Sequence, residues 1–366
     1  MPDAEHYARL LADRTRIDAF CRAIASVVKA GDRVLEIGCG VGTYALAAAK
    51  AGASRVWAVD RDATAIALAR EMGVAGVELI EARAEDVELP ERADVVIFED
   101  FGRFGWMPGL RPLFEHVRAR LAAPGARYLP PVVELHAAPT DTAVPALDPA
   151  GLPFSEAAVA LLRKRACNEP ASRTLEPAAL IGPPALVGRL SIGEPLPRRA
   201  AYEGRVRCAR DGSAAGLLGW MRMLDGAIDN GPGRGGIWSQ QLLPFEEPLP
   251  CRAGEDVEMS IEVASGPGPR DLIVRWTLRG PAGERVGCSL NAQPGSLELL
   301  RRGSPERVPK PGRRAAALRA LLTAMDGRSV AGLGQAVYQT GGFATEREAL
   351  DFVFEALSSG LIEEHP

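Results

Sequence analysis

The hydrophobic and polar positions change period twice along the chain. From about Asp32 to Pro131, short β-branched runs alternate with helical stretches, the mark of βαβ units on a parallel sheet. The runs Arg33–Ile37, Arg55–Val59, Val77–Glu81 and Asp94–Phe98 predict strands, and Thr43–Ala51, Asp62–Met72 and Pro112–Ala122 predict the helices between them. Ahead of these, Asp3 to Lys29 sets Leu10, Leu11, Phe20, Ile24 and Val27 at helical spacing. From about Val132 to Leu300 the period becomes two. Apolar and polar side chains alternate through Val257-Glu258-Met259-Ser260-Ile261-Glu262-Val263, and again at Leu272, Val274, Trp276 and Leu278. With Pro and Gly punctuating the segment, this predicts an antiparallel sheet or barrel. Pro153 to Leu180 interrupts it with a helical stretch whose apolar face is Ala157, Leu161, Leu162 and Ala166. From about Pro311 the helical period returns. Leu318, Leu321, Leu322 and Met325 form a stripe ended by Gly327. A second helix opens on the capping box Thr345-Glu346-Arg347-Glu348, carries Leu350, Val353, Phe354 and Leu357, and stops at Gly360. Leu361 and Ile362 then predict a short extended return, so this tail reads as a winged-helix-like module. The expected domains are residues 1–131, 132–305 and 312–366.

Composition narrows the classes without choosing among them. At 366 residues, 47% apolar and 25% charged, the chain has ordinary globular composition with room for about two or three domains. The net charge of −4 gives no electrostatic reason to expect nucleic acid. In the tail, arginines such as Arg313, Arg314 and Arg319 are offset by acids such as Glu346, Glu348 and Asp351, which argues against a phosphate groove there. No apolar run approaches membrane-spanning length, and the first twenty residues lack the apolar core of a signal peptide. Cys21, Cys39, Cys167, Cys208, Cys251 and Cys288 form no CxxC pair. They predict reduced thiols in a cytoplasmic protein, and with four isolated histidines they imply no metal site.

The chemistry begins at Glu36-Ile37-Gly38-Cys39-Gly40-Val41-Gly42, where a strand turns into a helix. Glycines at Gly38, Gly40 and Gly42 allow the tight turn and a close approach of backbone to ligand. A dinucleotide site uses a related turn, but the carboxylate of Glu36 would repel a pyrophosphate and attract the ammonium of a bound amino acid. Asp60 ends the second strand, where a carboxylate can accept both ribose hydroxyls. Glu85 follows the third strand, within reach of an adenine amino group. Acids at three successive strand ends predict a Rossmann-like site for S-adenosylmethionine, with S-adenosylhomocysteine as product.

These residues, with others around them, resemble the protein arginine methyltransferase family from roughly His6 to Leu300. His6 and Leu10-Leu11-Ala12-Asp13-Arg14-Thr15-Arg16 are similar to its pre-sheet helix, and the resemblance implies that Arg16 pairs with the cofactor carboxylate. Ala48-Ala49-Lys50-Ala51-Gly52-Ala53 and Ala84-Glu85-Asp86-Val87-Glu88-Leu89-Pro90 are also family-like. Trp238-Ser239-Gln240-Gln241, with Pro248, Gly254-Glu255 and Arg270-Asp271, resembles the substrate-side strand, which implies Trp238 and Gln240 as substrate-binding residues. The family inserts a helical dimerisation arm into its barrel, and Pro153–Leu180 stands in that place, so a homodimer is expected.

The acceptor side departs from the family. Arginine methylation holds a guanidinium between two carboxylates. Glu99, at the end of the fourth strand, matches the first and is the expected catalytic residue, with Asp100 beside it as substrate-binding. Nine residues on from Glu99, where the second is expected, stands Pro108, and the family's Thr-His-Trp loop is here Gly236-Ile237-Trp238. One explanation substitutes another acid, from Asp100, Glu115 or Asp225. The preferred explanation is that Glu99 alone orients or deprotonates an amine or other nucleophile. A purely structural Glu99, paired with Arg103 or Arg16, is a further reading; His6 and His136 are read as packing or capping residues. The expectation is therefore a methyltransferase acting on a peptide or natural-product intermediate. The alternatives are an arginine N-methyltransferase with a displaced second carboxylate and a non-catalytic, cofactor-binding scaffold.

Overall fold

The computed structural model describes residues 4–145, 150, 153–265, 272–292, 313–324, 328–339, 343 and 345–358. Two helices open the chain, α1 (Ala4–Ala12) and α2 (Arg14–Val27). The Asp3–Lys29 helical segment breaks at Asp13, whose side chain accepts from the Arg16 amide and so caps α2. Then follow β1 (Arg33–Ile37), α3 (Thr43–Lys50), β2 (Arg55–Asp60), α4 (Ala63–Glu71), β3 (Glu78–Glu81) and β4 (Ala93–Phe98). After these come α5 (Leu110–His116), a π-helical turn at Val117–Leu121 and β5 (Ala122–Leu129). The strands form a parallel sheet in the order β3-β2-β1-β4-β5. Val34, Leu35, Val95 and Ile97 at its centre are fully buried, as a sheet covered on both faces requires. The helix expected at Pro112–Ala122 starts two residues earlier and gives way at Val117 to the π turn. Ala122 itself opens β5.

The period-two region builds two antiparallel sheets. The first joins β6 (Val132–Thr140), β7 (Ala171–Arg173), β8 (Ala185–Ser191), β10 (Gly212–Met223), β11 (Ile228–Asp229) and β12 (Gln240–Cys251), in the order β7-β12-β10-β6-β8 with β11 on β10. The second joins β9 (Arg199–Arg207), β13 (Asp256–Ser265), β14 (Leu272–Gly280) and β15 (Gly283–Cys288), in the order β15-β14-β13-β9. Between β6 and β7 lies α6 (Glu156–Ala166), capped by Ser155. Its Val159 is buried, whereas Leu161, Leu162 and the nearby Phe154 are exposed. One hydrophobic cluster runs from Phe20 on α2 and Trp57 in the parallel sheet to Tyr202 and Trp276 in the antiparallel sheets. Contacts accordingly group residues 1–296 as a single compact unit, across the domain boundary expected near residue 131.

A second unit, residues 297–366, holds α7 (Arg313–Ala324), α8 (Val330–Tyr338) and α9 (Glu346–Ser358) around Leu321, Leu333, Val337, Ala349 and Val353. The Glu348 amide donates to Thr345 Oγ1 at 3.2 Å, the bond that the capping box predicts. Leu322 and Phe354 point outward. Met325, Gly327, Gly360, Leu361, Ile362 and the side chain of Leu318 lie outside the described residues, as do Arg270 and Asp271.

Candidate active site

A cleft of about 920 Å³ opens at the C-terminal ends of β1, β2 and β4. Gly38 and Gly40 line it with φ of 71° and 53°, backbone geometry that side chains with a Cβ rarely adopt. A Cβ at Gly40 would also come within 3.2 Å of the Tyr7 ring on α1. Gly42 does not face the cleft; it starts α3 and packs on Val74.

Asp60 is braced from two sides. Its Oδ2 accepts from the Gly40 amide at 2.8 Å and its Oδ1 from the Asp62 amide at 2.9 Å. A carboxylate has about four lone-pair directions, so two remain for ribose hydroxyls. Asp62 in turn caps α4 at Thr64 and accepts from the Tyr7 hydroxyl at 3.0 Å, which ties α1 to the ribose side of the cleft. Glu85 stands in a short 3-10 turn, Ala84–Asp86, half-exposed on the cleft wall and paired with Arg83 at 3.2 Å.

Arg16 and Glu36 are the buried charged pieces. The guanidinium of Arg16 donates through Nη1 to Glu99 and through Nη2 to the Leu10 carbonyl at 2.5 Å. It lies 5.8 Å from the Trp238 ring and 6.0 Å from the Tyr44 ring. Its Nε is buried with no partner. Glu36 is only 3% exposed and sits behind the glycine turn rather than on the cleft wall. It accepts from the Ala45 amide, while its Oε2 is buried without a partner. Burial, followed by the repulsion of Glu99 and Asp60, holds its carboxyl well above the ordinary value. The orphan donor on Arg16, which lines the cleft, is what an amino-acid carboxylate would satisfy, and Asp60 keeps lone-pair directions for a ribose, so the residues present fit S-adenosylmethionine.

On the acceptor side, burial raises the Glu99 carboxyl, while the Arg16 guanidinium and the Tyr44 hydroxyl pull the other way. The reading of Glu99 as a partner of Arg16 therefore describes an actual contact, on the cleft wall rather than away from it. Asp100 also faces the cleft, its Oδ1 accepting from the Gly102 amide at 3.2 Å. Of the other acids considered, Glu115 is bound to Arg111 on the same helix, and neither it nor Asp225 lines the cleft. Met107, Pro108, Ile237 and Trp238 make an apolar wall. Gln240 is not in the cleft. It is buried, donates to the Asn230 and Gly231 carbonyls and accepts from the Leu175 amide at 2.8 Å, so it props the loop that presents Trp238. Asn230 completes that prop by donating to the carbonyls of Arg103 and Ser239. His136 is buried against Trp220 and Glu134, and His6 lies edge-on to Tyr7 at the cleft mouth.

Two residues that the sequence reading passed over prove central. Asp13 caps α2 with one oxygen and with the other accepts from the Ile237 amide at 3.3 Å, joining helix to barrel loop. An acid three residues before Arg16 at a helix start was the available signal. Tyr44 is buried between Phe20 and Arg16. The signal there was weaker, one hydroxyl in an alanine-rich helix.

Residues 34–125 match the family described as Methyltransferase domain. Rice (Oryza sativa subsp. japonica) protein arginine N-methyltransferase PRMT10 is 42% identical over 107 residues, 27% of this chain and 28% of its own length. A probable protein arginine N-methyltransferase 6 of Arabidopsis thaliana is 32% identical over 147 residues, 36% of this chain and 32% of its own. The chain thus spans about a third or less of the length of these curated relatives. Among solved structures, Arabidopsis thaliana protein arginine methyltransferase 10 superposes with a TM-score of 0.64 at 18% identity, covering 78% of this chain and 98% of that one. The Trypanosoma brucei PRMT1 enzyme-prozyme complex with AdoHcy gives 0.61 at 19%, covering 77% and 97%. Residues 34–125 thus form a class I, S-adenosylmethionine-dependent methyltransferase domain, carried on a protein arginine methyltransferase-like fold.

Proposed function

We propose that this chain transfers the methyl of S-adenosylmethionine to a side-chain nitrogen of a peptide or protein, with arginine the first acceptor to test. The observation that carries this is the pair Glu99 and Asp100, side by side on the cleft wall beside Arg16. Two carboxylates against one guanidinium leave a net negative acceptor site, suited to a cationic side chain. The relatives' names favour arginine over the broader amine reading preferred from the sequence. S-adenosylmethionine supplies an electrophilic methyl on a sulfonium. The chain's part is to bind and orient: Arg16, Asp60 and Glu85 hold the cofactor, Glu36 backs the glycine turn against it, and Glu99 and Asp100 aim the nitrogen and accept its proton.

The amine or natural-product reading rests on Met107, Pro108 and Ile237, which put an apolar wall where a second acid is expected. Methyl transfer to arginine-rich peptides, lost in Asp100→Asn, supports arginine. Methylation of lysine or α-amino groups but not of arginine would transfer the preference to the second reading. Absence of any S-adenosylhomocysteine binding in calorimetry would leave a scaffold. A homodimer is part of the proposal, supported by the outward Phe154, Leu161 and Leu162 of the α6 region. The trypanosome neighbour is itself a heterotetramer by its description. Six unpaired thiols fit a reducing, cytoplasmic setting.

A further inference from the structure

Three polar groups near the end of β1 are buried without a hydrogen-bond partner: Arg16 Nε, Glu36 Oε2 and the Tyr44 hydroxyl. Arg16 Nε is accounted for by the carboxylate of a bound cofactor, and Glu36 Oε2 lies behind the glycine turn, off the cleft wall. Tyr44 is not accounted for. It is 4% exposed, stacked on Phe20 at 4.8 Å, and does not line the cleft. Its hydroxyl lies close enough to the Glu99 carboxylate to lower its proton affinity, yet makes no hydrogen bond of good geometry there, while Arg16 Nη1 donates to Glu99 Oε1. Arg16 therefore has two calls on one guanidinium, Glu99 on the acceptor side and the cofactor carboxylate on the other.

We propose that Tyr44 is a positioning residue: its hydroxyl takes up Glu99 when Arg16 turns part of its guanidinium toward the cofactor carboxylate. This rests on the cofactor reading of the site. The physical reason is that a buried carboxylate losing one charged donor is costly unless another donor stands ready, and a phenol held in place by ring stacking needs little reorganisation to serve. Tyr44 then keeps Glu99 aimed at the acceptor nitrogen in the loaded state, while the cofactor-free state keeps Arg16 on Glu99. No proton leaves Tyr44 in this role; burial pushes its phenol far above the ordinary range, so it acts only as a donor.

Binding alone tests this, with no acceptor required. Calorimetry on the full chain compares S-adenosylhomocysteine with 5′-methylthioadenosine, which lacks the carboxylate, in the parent, Tyr44→Phe, Glu99→Gln and the double variant. Tyr44→Phe is expected to weaken S-adenosylhomocysteine about tenfold when Glu99 is present. The loss should fall below about twofold in the Glu99→Gln background and for methylthioadenosine in either background. An equal loss in both backgrounds, or an equal loss for the two ligands, makes Tyr44 a packing residue and overturns the proposal. No loss at all overturns it too. A parent chain that fails to bind either ligand sinks the cofactor reading itself, an outcome the parent's own titration separates from the others. Thermal melts of each variant confirm that the fold is retained, and Phe preserves the ring stack on Phe20.

Discussion

Glu36 and Glu99 both hold their protons more tightly than an ordinary carboxyl at 4.5, chiefly through burial. For Glu36 the sign of the effect on stability is direct. The folded state keeps a proton that the unfolded chain has already lost, so this group's contribution falls as pH rises from about 4.5 through the raised folded value. Glu36→Gln removes that slope. Urea unfolding at pH 5 to 8 should show the variant gaining on the parent by at most about 1.4 kcal/mol per pH unit, while its affinity for S-adenosylhomocysteine drops. An unchanged gap across that range would mean Glu36 is not buried as described. Arg16 presents the opposite case, a charge whose removal strands a partner. Arg16→Ala should cost about 3 kcal/mol at neutral pH by leaving the buried Glu99 carboxylate with only the neutral Tyr44 hydroxyl beside it, and less at pH 5 as Glu99 takes up a proton. Denaturant melts at the two pH values check this.

The segment between β4 and α5 carries the acceptor residues at its two ends and is pinned into the barrel in its middle. Phe104 fills the space over Gly219, and the Trp106 indole donates to the Tyr202 hydroxyl at 2.8 Å. Gly105, with φ of 74°, leaves room for side chains of the barrel: a Cβ there would collide with Leu135 and crowd Leu190 at 3.2 Å. Gly105→Ala is therefore expected to destabilise by about 2–4 kcal/mol, from the backbone conformation and the overpacking together, with weaker acceptor binding. Chemical denaturation measures the first part. None of this was legible from the chain: period and turn chemistry locate Glu99 at a strand end, but the contacts that fix the segment come from β6, β8, β9 and β10, far away in sequence. The same limit explains Gln240, whose neighbourhood to Trp238 suggested the cleft although its side chain turns inward to brace a loop. Local signals fared better. Gly38, Gly40, Asp60 and Glu85 emerge at the cleft because each lies at or close after its own strand end, whereas Gly42 starts α3 and Glu36 sits behind the glycine turn. The break at Asp13 was available locally too, as an N-cap, but apolar spacing alone ran straight through it.

At the scale of the molecule, the outward Leu161 and Leu162 on α6 predict association. Leu162→Glu should convert a homodimer into a monomer in sedimentation velocity; a parent that already sediments as a monomer removes the dimer from the proposal. The tail folds around a core of its own, which the capping box at Thr345 foretold more surely than the apolar stripe of its first helix. The larger unit behaves differently, because its hydrophobic cluster passes without interruption from the parallel sheet into both antiparallel ones. Such a body has no internal seam along which to open. Ligand binding at the glycine turn then stabilises strands that never approach the ligand, since they can exchange their deep amide hydrogens only when the whole body unfolds. Deuterium uptake in β13, distant in sequence from the turn, should slow on adding S-adenosylhomocysteine by the same factor as uptake in β1.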